Sequence, residues 1–131
     1  MNYLNWAREF FKEDIYATET TGINIDQADK DYAKCSLEIL PKHKNAAGSV
    51  MGGAIFTLAD FTFAVAANVD NPVTVSVSSS ISYVGAAKGN TLFCEAVCVK
   101  SGKSTCTFIL NISDNLGNAV ATVTTTGFRK R

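Results

Sequence analysis

One carboxylate stands alone in the least polar stretch of the chain. In GSVMGGAIFTLADFTFAVAAN, residues 48–68, the only ionisable side chain is Asp60. Burying an unpaired charge costs several kcal/mol, so such a residue finds partners, takes up a proton or does chemistry. Apolar surroundings predict a pKa above that of a solvated aspartate, which makes Asp60 a stronger base wherever neighbouring donors keep it ionised. Eight residues earlier, Gly52 and Gly53 open the same segment. At a helix N-terminus, free amide N–H groups and the positive end of the dipole suit a polarised carbonyl oxygen, and glycine lets a ligand approach the backbone closely. Two readings stand side by side. The Gly52 amide is an oxyanion donor, a contact worth about 2.7 to 4 kcal/mol of barrier, or the glycine pair serves close helix–sheet packing.

Spacing decides how the two groups could act together. Eight residues of α-helix rise about 12 Å. A base or nucleophile works within about 3 to 3.5 Å of the reacting atom, and an oxyanion donor must touch the same group. One chain cannot supply both. Two copies of the helix packed antiparallel about a two-fold axis would bring Gly52 of one to Asp60 of the other, giving two equivalent sites per dimer.

The elements that must position these residues follow from periodicity. Residues 52–67 are apolar almost all round, as expected of a helix covered by a sheet and by a partner chain. Asp60 near its middle, at about 2.5 to 3.5 kcal/mol in a bilayer, and the lack of flanking aromatic belts argue against a membrane span. Leu4, Ala7, Phe10, Phe11 and Ile15 predict an N-terminal amphipathic helix over residues 3–14. TGINIDQAD and YAKCSLEIL alternate as two strands turning near residues 28–30, with Pro41 closing the hairpin, and KHKNAAGSVMGG reads as a loop. In PVTVSVSSSISYV, Val73, Val75, Val77, Ile81 and Tyr83 fall on one face and Thr74, Ser76, Ser78, Ser80 and Ser82 on the other, a half-buried strand. TLFCEAVCVK, STCTFILNIS and AVATVTTTGF follow as a meander, joined at KSGK and DNLGN by residues that supply positive backbone angles. The expected fold is α+β, one domain over residues 1–131 whose curved antiparallel sheet wraps around the central helix.

Composition narrows the function. Twelve basic and twelve acidic residues cancel, which removes the electrostatic footprint of nucleic-acid or anionic-membrane binding and leaves a small molecule or a protein as partner. Four cysteines without a CxxC pair, and a sole histidine remote from them, argue against zinc and for buried reduced thiols. The N-terminus mixes aromatics with charges and has no signal-like apolar core, so a cytoplasmic location is expected. His43, between Lys42 and Lys44, reads as an exposed loop residue.

Asn45, Gly48, Met51-Gly52-Gly53 and Leu58-Ala59-Asp60 reproduce a signature spacing of Asn, Gly three later, His-Gly-Gly and a Leu-Ala-Asp ending nine past the histidine. The segment thereby resembles the hotdog-fold thioesterases of the PaaI-like, phenylacetate-degradation group. VSVSSSISYVGAAKGNTL resembles that family's next strand and turn, with Tyr83, Ala87, Lys88, Gly89 and Asn90 in place, and the likeness covers roughly residues 43–128. Met51 stands where the family usually has histidine and Ala86 where it usually has proline.

The resemblance implies a hotdog fold and an acyl-CoA thioesterase, a homodimer assembled as a dimer of dimers. Coenzyme A enters only as part of the substrate, with no metal or redox cofactor. It implies Asn45 and Gly52 from one protomer and Asp60 from its neighbour. Asp60 attacks the thioester carbonyl or deprotonates a water, Asn45 offers its amide to either, and Ser76 hydrogen-bonds Asp60 or the water. Asn45 bonding its own loop, and Ser76 as one of a polar sheet face, are the structural alternatives. Gly53 and Met51 would lie at the mouth, Phe61 and Tyr83 with Phe56 and Phe63 would line the acyl pocket, and Lys88, Lys103, Arg129 and Lys130 either meet the phosphates of coenzyme A or are solvated surface cations, the commoner case for any single one. Met51 also motivates a rival, a non-catalytic acyl-CoA binding module. A hydratase on the same fold would want a histidine near the central helix, and His43 sits in the preceding loop.

Overall fold

A computed structural model describes residues Met1–Arg131. The N-terminal helix α1 (Tyr3–Phe11) is capped by Asn2, whose side chain accepts the Asn5 amide at 3.0 Å. It is shorter than the periodicity suggests, because a six-residue π-helical turn, Tyr16–Thr21, takes over and ends at Gly22 with φ +92°. Strands β1 (Ile23–Asp29) and β2 (Tyr32–Glu38) form a hairpin whose two-residue turn is Lys30 and Asp31, the latter at φ +61°. A short 3-10 turn at Pro41–His43 leads to α2 (Gly52–Asn68), followed by β3 (Thr74–Tyr83), β4 (Thr91–Ser101), β5 (Thr105–Asp114) and β6 (Ala119–Arg129).

All six strands form one antiparallel sheet in the order β1-β2-β4-β5-β6-β3. Only β4, β5 and β6 make the expected meander. α2 crosses the sheet after β2 and delivers β3 to the far edge, beside β6, and the chain then returns to place β4 against β2. Alternation of apolar residues identifies a strand without naming its neighbour, which is why the crossover is invisible to periodicity.

α2 lies against the sheet, with Leu58, Thr62, Phe63, Val65 and Ala66 among its buried residues. Phe63 packs edge-on against Phe108 of β5, ring centroids 5.5 Å apart, so it belongs to the helix–sheet core and not to an acyl pocket. A Cβ on Gly127 would lie 2.7 Å from the Phe63 ring, which explains the glycine in TTTGF. Cys35 and Cys94 sit opposite each other in the β2–β4 register, fully buried, and burial pushes both thiols up to about 12. All four cysteines are free, and this pair behaves as the expected buried hydrophobes.

β3 departs from its half-buried expectation. In the single chain only Thr74 is buried and Ile81 half-buried, and Val77 is 61% exposed. A bulge between Ser76 and Ser78 shifts the register, so Ser76 lies opposite Gly127 and Ser79 opposite Thr125. Thr74, Ser76, Ser79, Ile81 and Tyr83 therefore share the helix-facing side, and Val75, expected on the face of Ile81 and Tyr83, lies on the other with Ser78, Ser80 and Ser82. Of the two hairpin turns, Gly117 adopts φ +86° as expected. Gly102 keeps an ordinary φ and is required by close approach, a Cβ there lying 2.9 Å from the Thr105 carbonyl oxygen. No helix is long and apolar enough to cross a membrane.

Candidate active site

The N-terminus of α2 is open. The Ala54 and Ile55 amides both bond the Met51 carbonyl oxygen, at 3.0 and 3.2 Å, while the amides of Gly52 and Gly53 have no partner. Met51 caps with backbone only, since its thioether offers no acceptor fit for a helix start. The preceding loop is closed by a bridge between Lys44 and Val50 and turns at Gly48, φ +85°. Inside it, Asn45 Oδ1 accepts the amides of Ala47 and Ser49 at 3.0 and 3.1 Å. Asn45 thus bonds its own loop, and the same bonds fix its side-chain orientation, leaving Nδ2 as the unengaged donor.

His43 corrects the sequence reading. It is 5% exposed: Nδ1 accepts the Leu40 amide at 3.0 Å, and Nε2 lies 2.7 Å from the Thr21 carbonyl oxygen. The Leu40 N–H requires an acceptor, so the ring proton sits on Nε2 and donates to Thr21. Both nitrogens tie the 3-10 turn to the π-helical turn, and the Met51 amide donates to the His43 carbonyl at 2.8 Å. His43 positions the start of α2 and is not free for chemistry.

Two turns along α2, Asp60 borders a cavity of about 350 Å3. Phe56, Phe61 and Ala64 of α2 form one wall and Asp14, Ile15 and Tyr16 the other. Phe61 is held edge-on against Phe11 of α1, centroids 5.6 Å apart. The Asp60 carboxylate has no hydrogen bond or ion pair in the chain. By surface area the residue is exposed, yet its head group is substantially desolvated; both hold because the cavity is open to solvent but walled by apolar side chains. Burial, and secondarily the Asp14 carboxylate, push the Asp60 pKa up, as its surroundings predict.

In one chain Asp60 and Gly52 face different cavities. Gly52 borders a space of about 370 Å3 with Tyr83, whose hydroxyl donates to the Gly52 carbonyl oxygen at 3.0 Å. Gly53 and Met51 line a third, of about 280 Å3, which shares Tyr16 and Thr57 with the Asp60 cavity, so the two form a groove along α2. Asn45, Ser76, Lys88 and Lys103 line none of these; all four are exposed, Ser76 on the free edge strand.

Arg129 overturns its expected role. Its side chain is buried, donating from Nη1 to the Ala67 carbonyl and Thr74 Oγ1, both at 2.9 Å, and from Nη2 to Asp31 Oδ1 at 3.2 Å and Ser101 Oγ at 2.8 Å. It clamps the end of α2 to β3, β4 and the β1–β2 turn and cannot meet a phosphate. Asp14 and Tyr16 are the site residues that the sequence did not reveal, because nothing in YATETT signals a π-helical turn folding back over α2.

A curved six-stranded antiparallel sheet on one central apolar helix is the hotdog fold, the architecture of a class of thioester hydrolases. A model of the thioesterase superfamily matches residues 47–127, and the chain belongs to that superfamily. It is 32% identical over 112 residues to a protein of Archaeoglobus fulgidus named as a proposed esterase, covering 85% of this chain and 73% of that one. The PaaI protein of the E. coli phenylacetic acid degradation operon superposes with a TM-score of 0.91 over 98% of this chain and 94% of that one, at 23% identity, a likeness of fold. A Streptococcus mutans UA159 protein solved bound to acetyl CoA superposes with a TM-score of 0.78 at 28% identity, covering 82% of this chain and 88% of that one.

Proposed function

We propose that the protein hydrolyses acyl-CoA thioesters at two equivalent sites of a homodimer, each built from Gly52 and Asn45 of one protomer and Asp60 of the other. The observation that carries this reading is the pairing of an unbonded Gly52 amide with an unpaired Asp60 carboxylate on one helix, in separate cavities. The family membership and the acetyl CoA of the S. mutans relative support the substrate class. β3, an open edge strand carrying exposed Val75 and Val77, supplies a surface on which a second copy can pair. Val97 and Ile109, exposed and opposed in register on the outer sheet face, suit the further association of two dimers.

In the reaction, the thioester carbonyl oxygen accepts from the Gly52 amide. Asp60 takes a proton from a water that attacks the carbonyl carbon, or attacks it directly to form an anhydride that water then opens. Negative charge developing on the oxygen strengthens the amide contact, and collapse of the tetrahedral intermediate expels the coenzyme A thiolate, which takes up the proton. Asn45 Nδ2 donates to the carbonyl or the water, and Ser76 orients the carboxylate or the water from the helix-facing side of β3. Gly53, Met51 and Phe61 border the acyl group, Tyr83 secures the start of α2, and Lys88 and Lys103 attract the phosphates. No metal or redox cofactor takes part.

The test mixes two inactive subunits. Gly52→Pro removes the amide hydrogen at a first helical position, where the proline backbone is tolerated after the extended Met51, and its ring also pushes the Tyr83 side chain aside; Asp60→Asn removes the base. Each alone loses thioester hydrolysis, and an equimolar re-associated mixture recovers about a quarter of wild-type activity, since half its dimers hold one intact site. No recovery, in heterodimers shown to form, overturns the two-chain site. Met51, 54% exposed at the mouth of the groove, favours one second reading, an acyl-CoA binding module without turnover. Saturable binding with no released thiol, and hydrolysis gained on Met51→His, would establish it.

A further inference from the structure

Asp14 is the second carboxylate of the Asp60 cavity. Its backbone is pinned at the junction between α1 and the π-helical turn: its amide donates to the Phe11 carbonyl at 2.9 Å, and its carbonyl accepts from the Thr18 amide and hydroxyl at 2.9 and 3.0 Å. Its carboxylate, by contrast, has no hydrogen bond and no ion pair. The nearby cation Lys12 is paired with Glu9. No lysine, arginine or histidine borders the cavity; besides the two aspartates its only titratable group is Tyr16. α2 carries no other charge, and the sheet beneath it contributes Cys35 and Cys94 on the opposite side, beside Thr62. The remaining walls are mostly apolar. An unpaired negative charge, exposed at the open cavity, thus forms part of the surface that an acyl group would touch; farther along the same groove Lys42 bonds the Thr20 carbonyl and His43 is held by Leu40 and Thr21.

Resting on the thioesterase reading above, we propose that Asp14 is a specificity-determining residue of the site: its carboxylate repels acyl groups that carry a negative charge of their own, such as a dicarboxylic acid joined to coenzyme A at one end, and admits neutral acyl groups of the same length. Like charges beside the apolar walls of a cavity open to solvent repel more strongly than in bulk water, though less than in a closed interior. The same charge acts on Asp60, where it opposes ionisation and so moves the pH at which the base becomes active.

The experiment compares pentanoyl-CoA with glutaryl-CoA, equal in chain length and differing by a terminal carboxylate, on the full chain and on Asp14→Asn. Wild type hydrolyses pentanoyl-CoA with the higher kcat/KM. The substitution narrows the ratio of the two by about five- to tenfold and moves the acid limb of the pH–rate profile to lower pH. An unchanged ratio, or equal loss on both esters with the limb in place, marks a merely structural residue and overturns the inference. Asp14→Ala read in the same way decides the matter should the amide variant fold poorly. If wild type binds both esters and hydrolyses neither, the proposed reaction fails, and the dissociation constants of the same two esters then decide: narrowing in Asp14→Asn supports the inference, an unchanged ratio overturns it. If neither ester binds, both proposals fall.

Discussion

The Tyr83 hydroxyl donates to the carbonyl oxygen of Gly52 at 3.0 Å, so close that a Cβ on residue 52 would lie 3.0 Å from that hydroxyl and 3.1 Å from the ring carbon bearing it. This contact joins the open edge strand to the first turn of α2 and holds the free amides in place. The Gly52 carbonyl already accepts a helical N–H, so Tyr83→Phe leaves no orphaned acceptor and costs only about 0.5 to 1 kcal/mol in urea unfolding. Gly52→Ala forces the ring aside. It lowers kcat/KM by about tenfold or more, because both the methyl group and the displaced tyrosine crowd the amide that the carbonyl oxygen must reach. A kcat/KM equal to wild type would show that the amide is not used.

Asp60 links activity and stability with opposite signs. Its pKa is raised by burial and then by Asp14, so the ionised base is lost as pH falls through a value higher than that of a solvated aspartate, and kcat/KM falls with it. For stability, a folded pKa above the unfolded one means that the protonated form is favoured by folding. That contribution is fully present below the unfolded pKa and disappears as pH rises through the folded one. Asp60→Asn therefore unfolds at a higher temperature than wild type at pH 7, and the gain vanishes below pH of about 3.9, while hydrolysis falls by about 10²- to 10⁴-fold. Thermal melts and acyl-CoA assays over one pH series check both arms.

How much of this was legible in the sequence depends on the range of the interaction. Gly52, Gly53 and Asp60 lie on one helix, so their spacing alone gives their separation and requires a second chain for joint action. Asn45 was legible only as two alternatives, and its loop bonds leave both standing. Residues whose meaning comes from distant partners were misread. His43 looked solvated because of its lysine neighbours, but it is enclosed by Thr21 and Leu40. Arg129 looked like a surface cation near the end of the chain, while its partners lie 28 to 98 residues away. In β3 the alternation was real, but the bulge at Val77 exchanged its faces, and the strand's place at the sheet edge depended on a crossover that no local pattern encodes.

Arg129 provides the sharpest separation of structure from binding. Its guanidinium makes four hydrogen bonds and is paired with Asp31, which is only partly buried. Arg129→Ala strips the α2 C-terminus and Thr74 of their donor and leaves Asp31 unpaired, for a loss of about 3 to 5 kcal/mol in urea unfolding. Arg129→Lys retains the charge but not the planar fork, and recovers less than half of that loss. Coenzyme A affinity of the folded fraction stays at the wild-type value, measured by calorimetry below the unfolding transition. A weakened affinity in Arg129→Lys would restore the phosphate role that the geometry denies.

The free edge of the sheet gives the last prediction. β3 is bonded on one side only, to β6, and its exposed Val75 and Val77 lie on a bulged strand with no charge from Thr74 to Tyr83. Monomeric proteins usually protect such an edge with lysine, proline or a covering loop; here Ser and Val leave it open to a second copy, whose α2 would then run beside this one. A lysine at Val77 places a like charge on the edge strand of each copy, where pairing of two such edges would bring them near one another, without disturbing a position already 61% exposed in the single chain. Val77→Lys therefore sediments as a monomer with a far-ultraviolet spectrum and melting cooperativity close to wild type, and its thioester hydrolysis falls by at least about a hundredfold, because each Asp60 is left without the amide that completes its site. A monomer that retains full turnover would place both groups' work within one chain, against the 12 Å or so of helix that separates them.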